Sequence, residues 1–131
     1  MSKVIALDHL VLTVMDINRT VGFYCEVLGM TREDFAAADG SNRVSLRFGT
    51  QKINLHEVGS EFKPRAFMAT SGSADLCFLT KASLDTWMAK FESLGVKIEL
   101  GPVPRTGATG PITSIYIRDP DRNLIEVSVR G

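Results

Sequence analysis

The two histidines of this chain, His9 and His56, each sit in a short β-rich run, HLVLTV and INLHEV. Two acids sit in comparable apolar runs further on, Asp75 in SADLCFL and Glu126 in NLIEVSV. An ionised carboxylate in apolar surroundings is costly unless it pairs with a cation or coordinates a metal. Imidazole and carboxylate are both ligand types for divalent transition metals, and two neutral imidazoles with two carboxylates would balance a divalent charge. His9, His56, Asp75 and Glu126 therefore read as a candidate four-ligand metal centre. Other readings stay open residue by residue. A histidine in a strand is often a hydrogen-bonded packing residue, Asp75 can pair with Arg43, Arg47 or Arg118, and Glu126 can face solvent on an edge strand.

The elements that must position these groups emerge when the chain is laid against itself. Residues 8–33, DHLVLTVMDINRTVGFYCEVLGMTRE, align without a gap on residues 74–99, ADLCFLTKASLDTWMAKFESLGVKIE, and six positions are identical. Both segments read as strand, helix, glycine stop. In the first, Asp16 or Asn18 caps a helix striped by Ile17, Val21, Tyr24, Val27 and Leu28 and ended by Gly29. In the second, Ser83 caps a helix striped by Leu84, Trp87, Met88, Phe91 and Leu94 and ended by Gly95. The strand candidates RVSLRFG and KINLHEVG follow the first helix, and ITSIYIRD and NLIEVSV follow the second, with turns at Gly49-Thr50-Gln51 and Asp119-Pro120-Asp121. The chain reads as a tandem β-α-β-β-β duplication in which His9 corresponds to Asp75 and His56 to Glu126. Module one covers about 4–58, a linker about 59–73 and module two about 74–130. Strand alternation turns each of the four polar residues away from its own helix.

Composition narrows the partners. Fifteen lysines and arginines match fifteen aspartates and glutamates, so no basic field draws nucleic acid or an anionic membrane. Two cysteines outside any CxxC pair read as reduced thiols, which favours the cytoplasm, and no run of apolar residues is long enough for a membrane span. A small molecule is the expected ligand. The segment GPVPRTGATGP, residues 101–111, reads as a specially turned or mobile loop, and its Arg105 can reach an anionic substrate group; an incidental arginine on a solvated loop is the competing reading. Cys77 shares a strand face with Asp75 and can line the same site, although a small buried thiol is the plainer reading.

DHLVLTV, FYCEVLGM, NLHEVG and especially RDPDRNLIEV resemble the vicinal oxygen chelate (VOC) superfamily of glyoxalase I, bleomycin-resistance proteins, fosfomycin-resistance transferases and extradiol dioxygenases. FGTQKINLHEVG, EFKPRA, SADLCFLT and GPVPRTGATGPITSIYIRDPDRNLIEVS resemble the group of glyoxalase domain-containing protein 5 and the bacterial virulence-associated members. The resemblance covers the whole chain. It implies one α+β domain over 1–131, built from tandem βαβββ modules whose sheets cup a divalent metal (Mn, Fe, Ni, Co or Zn). Its ligand positions on the first and last strands fall on His9, His56, Asp75 and Glu126. It further implies glyoxalase-type lyase or isomerase chemistry on a small substrate with vicinal oxygens, with Glu126 doubling as base and Asp75 a second candidate for that role. Where glyoxalase I and the extradiol dioxygenases usually present a histidine, this chain has Asp75, a departure from both patterns that still leaves a metal and an adjacent base for glyoxalase-type chemistry. The alternatives are non-catalytic sequestration of an antibiotic or toxic small molecule, and a fosfomycin-resistance-like transferase. A homodimer is expected, because a two-module chain leaves sheet edges and apolar surface to cover.

Overall fold

The computed structural model describes residues 2–131. Ten elements follow in chain order: β1 (His9–Val14), α1 (Ile17–Leu28), β2 (Thr31–Ala36), β3 (Asn42–Phe48), β4 (Gln51–Glu57), β5 (Asp75–Leu79), α2 (Leu84–Ser93), β6 (Leu100–Gly107), β7 (Gly110–Arg118) and β8 (Leu124–Arg130). They fall into two compact units, one running to Ser71 and the other starting at Gly72. Each has four strands and one helix, the tandem βαβββ pattern that the repeat implies. No helix among the described residues is long and apolar enough to cross a membrane.

In the first unit the sheet order is β1-β4-β3-β2, with β1 parallel to β4 and the other pairs antiparallel. The parallel pair follows from chain order, because a crossover through a helix returns the chain in the same direction. Asp16 caps α1 by accepting a 3.0 Å bond from the Arg19 amide. Gly29 ends the helix in the left-handed region at φ 73°, where a side chain would be strained. Val21, Tyr24 and Val27 on α1 are buried, as are Leu12, Val14, Leu46, Ile53 and Leu55 on the strands. Alternation then leaves His9, Val11 and Thr13 of β1, and Asn54 and His56 of β4, on the opposite face.

The second unit repeats the plan with order β5-β8-β7-β6 and β5 parallel to β8. Ser83 caps α2, its hydroxyl accepting from the Thr86 amide at 3.2 Å. Phe91, Ile115, Ile117, Ile125 and Val127 form the buried core. The RDPDRN run is a structural turn. Asp119 Oδ1 accepts from the amides of Asp121 and Asn123, both at 2.9 Å, its Oδ2 accepts from Asn123 Nδ2 at 2.8 Å, and Asn123 Oδ1 accepts from the Ala74 amide at 2.8 Å. The turn thereby ties the start of β5 to the start of β8.

GPVPRTGATGP differs from the expected loop. Residues up to Gly107 form β6, Ala108 and Thr109 make the turn, and Gly110 opens β7. Pro102 and Pro104 hide this strand from pattern reading, but β6 is an edge strand, where a missing N–H can point away from the ladder. The pairing is irregular between Leu100 and Val103. Gly101 is required there: at φ 114°, a Cβ would lie 2.5 Å from the Ser114 carbonyl oxygen.

Candidate functional site

The two parallel strand pairs fix where the four expected ligands stand within their own units. In the second unit, Asp75 lies across from Leu124, and Glu126 across from Cys77. The two carboxylates are thus offset by two residues along neighbouring strands, about 8 Å between their backbones. In the first unit, His9 lies across from Lys52, Asn54 across from Val11, and His56 across from Thr13. Starting from His9 and Asp75 as equivalents, the residue with the same offset as Glu126 is Asn54. His56 is two residues further on, and its backbone stands about 14 Å from that of His9. The expected correspondence of His56 with Glu126 is therefore not the one that the strand register makes. Sequence alignment misses this because adding two residues keeps a side chain on the same strand face.

The surroundings separate the two β4 residues further. His56 is buried, packs edge-to-face on Phe62 with ring centroids 5.4 Å apart, and the Arg43 guanidinium lies 3.7 Å from the Phe62 centroid. Burial, and then the Arg43 charge, lower the imidazole pKa below its ordinary value, with Glu61 opposing. The cage holds the His56 ring as a neutral packing group against Phe62. Asn54 presents the opposite situation. Its Oδ1 is a buried acceptor with no hydrogen-bond partner, one of two such side-chain atoms among the described residues, the other being Thr20 Oγ1. Buried acceptors are normally satisfied, so an orphan needs an explanation.

His9 is exposed, and its Nδ1 lies 2.8 Å from Asp8 Oδ1, a contact that leaves Nε2 without a partner among the described residues. That arrangement, one ring nitrogen bound to a carboxylate and the other free, is how metal-ligating histidines are usually oriented. The His9 hydrogen bond lowers the Asp8 pKa.

On the second unit's open face, β5, β8, β7 and β6 bring Cys77, Glu126 and Arg105 together in a cavity of about 390 Å³, with Leu79, Ile112 and Arg130 also in its wall. Asp75 lies two residues before Cys77 on the same face, and is not part of the cavity lining. Glu126 is anchored through one oxygen. Its Oε2 accepts from Ser114 Oγ at 2.5 Å and from Ser128 Oγ at 3.5 Å, the two serine hydroxyls are 2.6 Å apart, and Cys77 Sγ is 3.3 Å from Ser128 Oγ. Ser114 and Ser128 are fully buried, so this chain of hydroxyls is shielded from water. The two serines hold Oε2 and not Oε1, and the Cys77 thiol also reaches the Glu126 carboxylate. Cys77 is exposed as a residue, but partial desolvation of its thiol in the cavity wall, with the Glu126 charge and hydrogen bond adding, pushes its pKa up, despite the Ser128 hydrogen bond that opposes the shift. The thiol is protonated at neutral pH and is a poor nucleophile.

Arg130, Ser114, Ser128 and Asn54 are site features that residue types alone did not mark. Arg130 and Ser128 share parity with Glu126 on β8, a signal present in the sequence. The orphaned oxygen of Asn54 needed the packed structure.

Among the described residues no group of three or more histidine, cysteine, aspartate or glutamate side chains stands close enough to hold a metal. Each unit instead supplies two donors at the same offset, His9 with Asn54 and Asp75 with Glu126.

Comparison with known proteins places the chain and its fold. Virulence protein STM3117 of Salmonella typhimurium is 54% identical over 122 residues, 93% of this chain and 82% of that protein. The solved integron cassette protein VCH_CASS1 from the mobile metagenome of V. cholerae is 55% identical, with a TM-score of 0.94 over 100% of this chain and 99% of its own. A lactoylglutathione lyase from Agrobacterium tumefaciens is 27% identical, with a TM-score of 0.66 over 95% of this chain and 92% of its own. The sequence model of the Glyoxalase/Bleomycin resistance protein/Dioxygenase superfamily matches residues 6–127, and the chain belongs to that superfamily.

Proposed function

We propose that this protein is a metal-dependent enzyme of glyoxalase type, a lyase or isomerase that acts on a small molecule through two adjacent oxygens. The observation that carries the reading is the repeated donor pair: His9 with Asn54, and Asp75 with Glu126, at one offset on one kind of parallel strand pair. The donors fit a divalent cation of the Mn, Fe, Ni, Co or Zn kind. Among the described residues, His9 keeps Nε2 open while Asp8 holds Nδ1, Glu126 has an Oε1 that the serines do not hold, and Asn54 has a buried oxygen with no partner. Asn54 replaces His56 as the second donor of the first unit.

The cation would supply Lewis-acid polarisation of the two substrate oxygens. Glu126 is the base, moving a proton between the substrate carbons that bear those oxygens, and Asp75 is the second carboxylate on the same face. Ser114 fixes the Glu126 carboxylate through Oε2, which keeps Oε1 at a constant place and reduces the reorganisation that proton transfer would otherwise need. Cys77 and Arg105 border the substrate, the thiol as a neutral wall. The protein works as a homodimer.

Elemental analysis of protein purified without chelator tests the site directly. About one transition metal per chain is expected in the parent and in His56→Ala, with loss in His9→Ala and Glu126→Ala. Retention by both of the latter variants would overturn the site. Metal-loaded protein should convert the hemithioacetal of methylglyoxal and glutathione, and no turnover with Mn, Fe, Ni, Co or Zn would remove the glyoxalase assignment. Stoichiometric calorimetric binding of an antibiotic without product would favour sequestration instead, and thiol addition to fosfomycin would favour the transferase reading.

A further inference from the structure

We infer that the cavity of the second unit contains an anion subsite formed by Arg105 and Arg130, so that the substrate carries one carboxylate, phosphonate or phosphate group at its end remote from Glu126. The inference deepens the proposed function and relies on it only for the placing of the substrate's other end.

Four arginines elsewhere in the chain are each paired with an acid: Arg32 with Asp34, Arg43 with Asp39, Arg47 with Glu33 and Arg118 with Glu99, at 2.9–3.3 Å. Arg105 and Arg130, both in the cavity wall, meet no carboxylate among the described residues. Arg105 Nε donates to the Tyr116 hydroxyl at 2.8 Å and its Nη1 to the Pro104 carbonyl at 2.9 Å, while its guanidinium lies 5.4 Å from the Tyr116 ring centroid. Arg130 Nη1 donates to the Thr109 hydroxyl. These acceptors are neutral. They orient both guanidinium groups without cancelling either charge, and they leave Arg105 Nη2 with no acceptor among the described residues. Holding a fork in place beforehand lowers the ordering cost of binding a carboxylate or phosphonate, for which its geometry is suited.

The remaining wall limits the ligand. Glu126, the carboxylate in the cavity, repels an anion from its own side, so the ligand's charge belongs at the arginine end. Leu79 and Ile112 give an apolar surface for a short carbon body. The volume, about 390 Å³, is at the small end of the range for ligand pockets. The part of the ligand inside the cavity is therefore a short apolar body that ends in one anionic head at the arginines.

The test uses the full chain stripped of metal with EDTA, so that it does not depend on the metal reading. Propylphosphonate and butyrate are titrated by heteronuclear NMR, beside neutral butyramide. Saturable binding of at least one anion is expected, with shifts centred on Arg105, Thr109 and Arg130, and the tighter anion identifies the head group. Arg105→Gln/Arg130→Gln should weaken that binding by about tenfold or more, since each charged hydrogen bond lost is worth that factor. Arg105→Lys/Arg130→Lys should retain an intermediate affinity, and Lys97→Gln, which removes a charge outside the cavity lining, should bind like the parent. Absence of saturable anion binding, butyramide binding as tightly as butyrate, or an unweakened glutamine double variant would each overturn the subsite. Metal content is read on the same variants. A double variant that keeps its metal while losing the anion separates failure of the subsite from failure of the metal site.

Discussion

At the level of single residues, the informative contrast is between His56 and Asn54. They are two apart on β4 and share a face, yet one is a caged imidazole and the other an unsatisfied acceptor. The cage makes His56 a determinant of stability with a defined pH dependence. Its folded-state pKa lies below the ordinary value of 6.5 because of burial and Arg43. As pH falls through about 6.5, the unfolded chain takes up the proton first and so binds more protons than the native state. Stability conferred by the neutral imidazole is thus full above that value and is lost progressively as pH falls from about 6.5 toward the lowered native pKa. Urea unfolding between pH 5.5 and 7.5 should show stability rising with pH in the parent protein and a flatter dependence in His56→Gln. An equal slope in the two proteins would mean that the imidazole is not held neutral.

Among the elements, the turn between β7 and β8 has the clearest structural role. The RDPDRN run contributes much of the family resemblance, and in the structure its polar side chains serve the backbone: Asp119 and Asn123 are buried and close a network that reaches the Ala74 amide. Asn123→Ala would remove the acceptor of the Ala74 amide and the side-chain donor to Asp119 Oδ2. A loss of about 3 kcal/mol in unfolding free energy is expected by denaturant titration, with Glu126 displaced because β8 starts at this turn. A loss under about 0.5 kcal/mol would show that water replaces the network without cost. The β6–β7 hairpin is the other element with consequences for the site, since Arg105 is placed by pairing with Ile112 across it.

For the molecule as a whole, each unit covers one sheet face with its helix and turns polar side chains from the other. Val11 and Leu79 on those open faces are about half exposed, 47% and 52%, and Phe67 in the segment between the sheets is 94% exposed. Apolar exposure of this kind is the physical basis for the proposed homodimer. Light scattering on the eluting peak should give about twice 14.3 kDa at micromolar concentration, and a monomer mass would remove that part of the proposal. Limited chymotrypsin digestion, by contrast, should cut first after Phe67, leaving fragments that correspond to the two compact units.

What the sequence determined by itself was the repeat and the parity within it. The hydrophobic stripes of α1 and α2, their caps at Asp16 and Ser83 and the alternation along β1, β4, β5 and β8 are local properties, each set by neighbours a few residues away, and they were legible for that reason. The β6 strand was not, because proline weakens a strand signal that only its edge position makes harmless. Nor could residue types distinguish Asn54 from His56. Which of two same-face positions lies level with a partner is a matter of interstrand register, and whether an oxygen is left without a donor depends on everything packed around it. Tertiary structure alone decided those points, and also that Arg105 and Arg130, 25 positions apart in the chain, border one cavity.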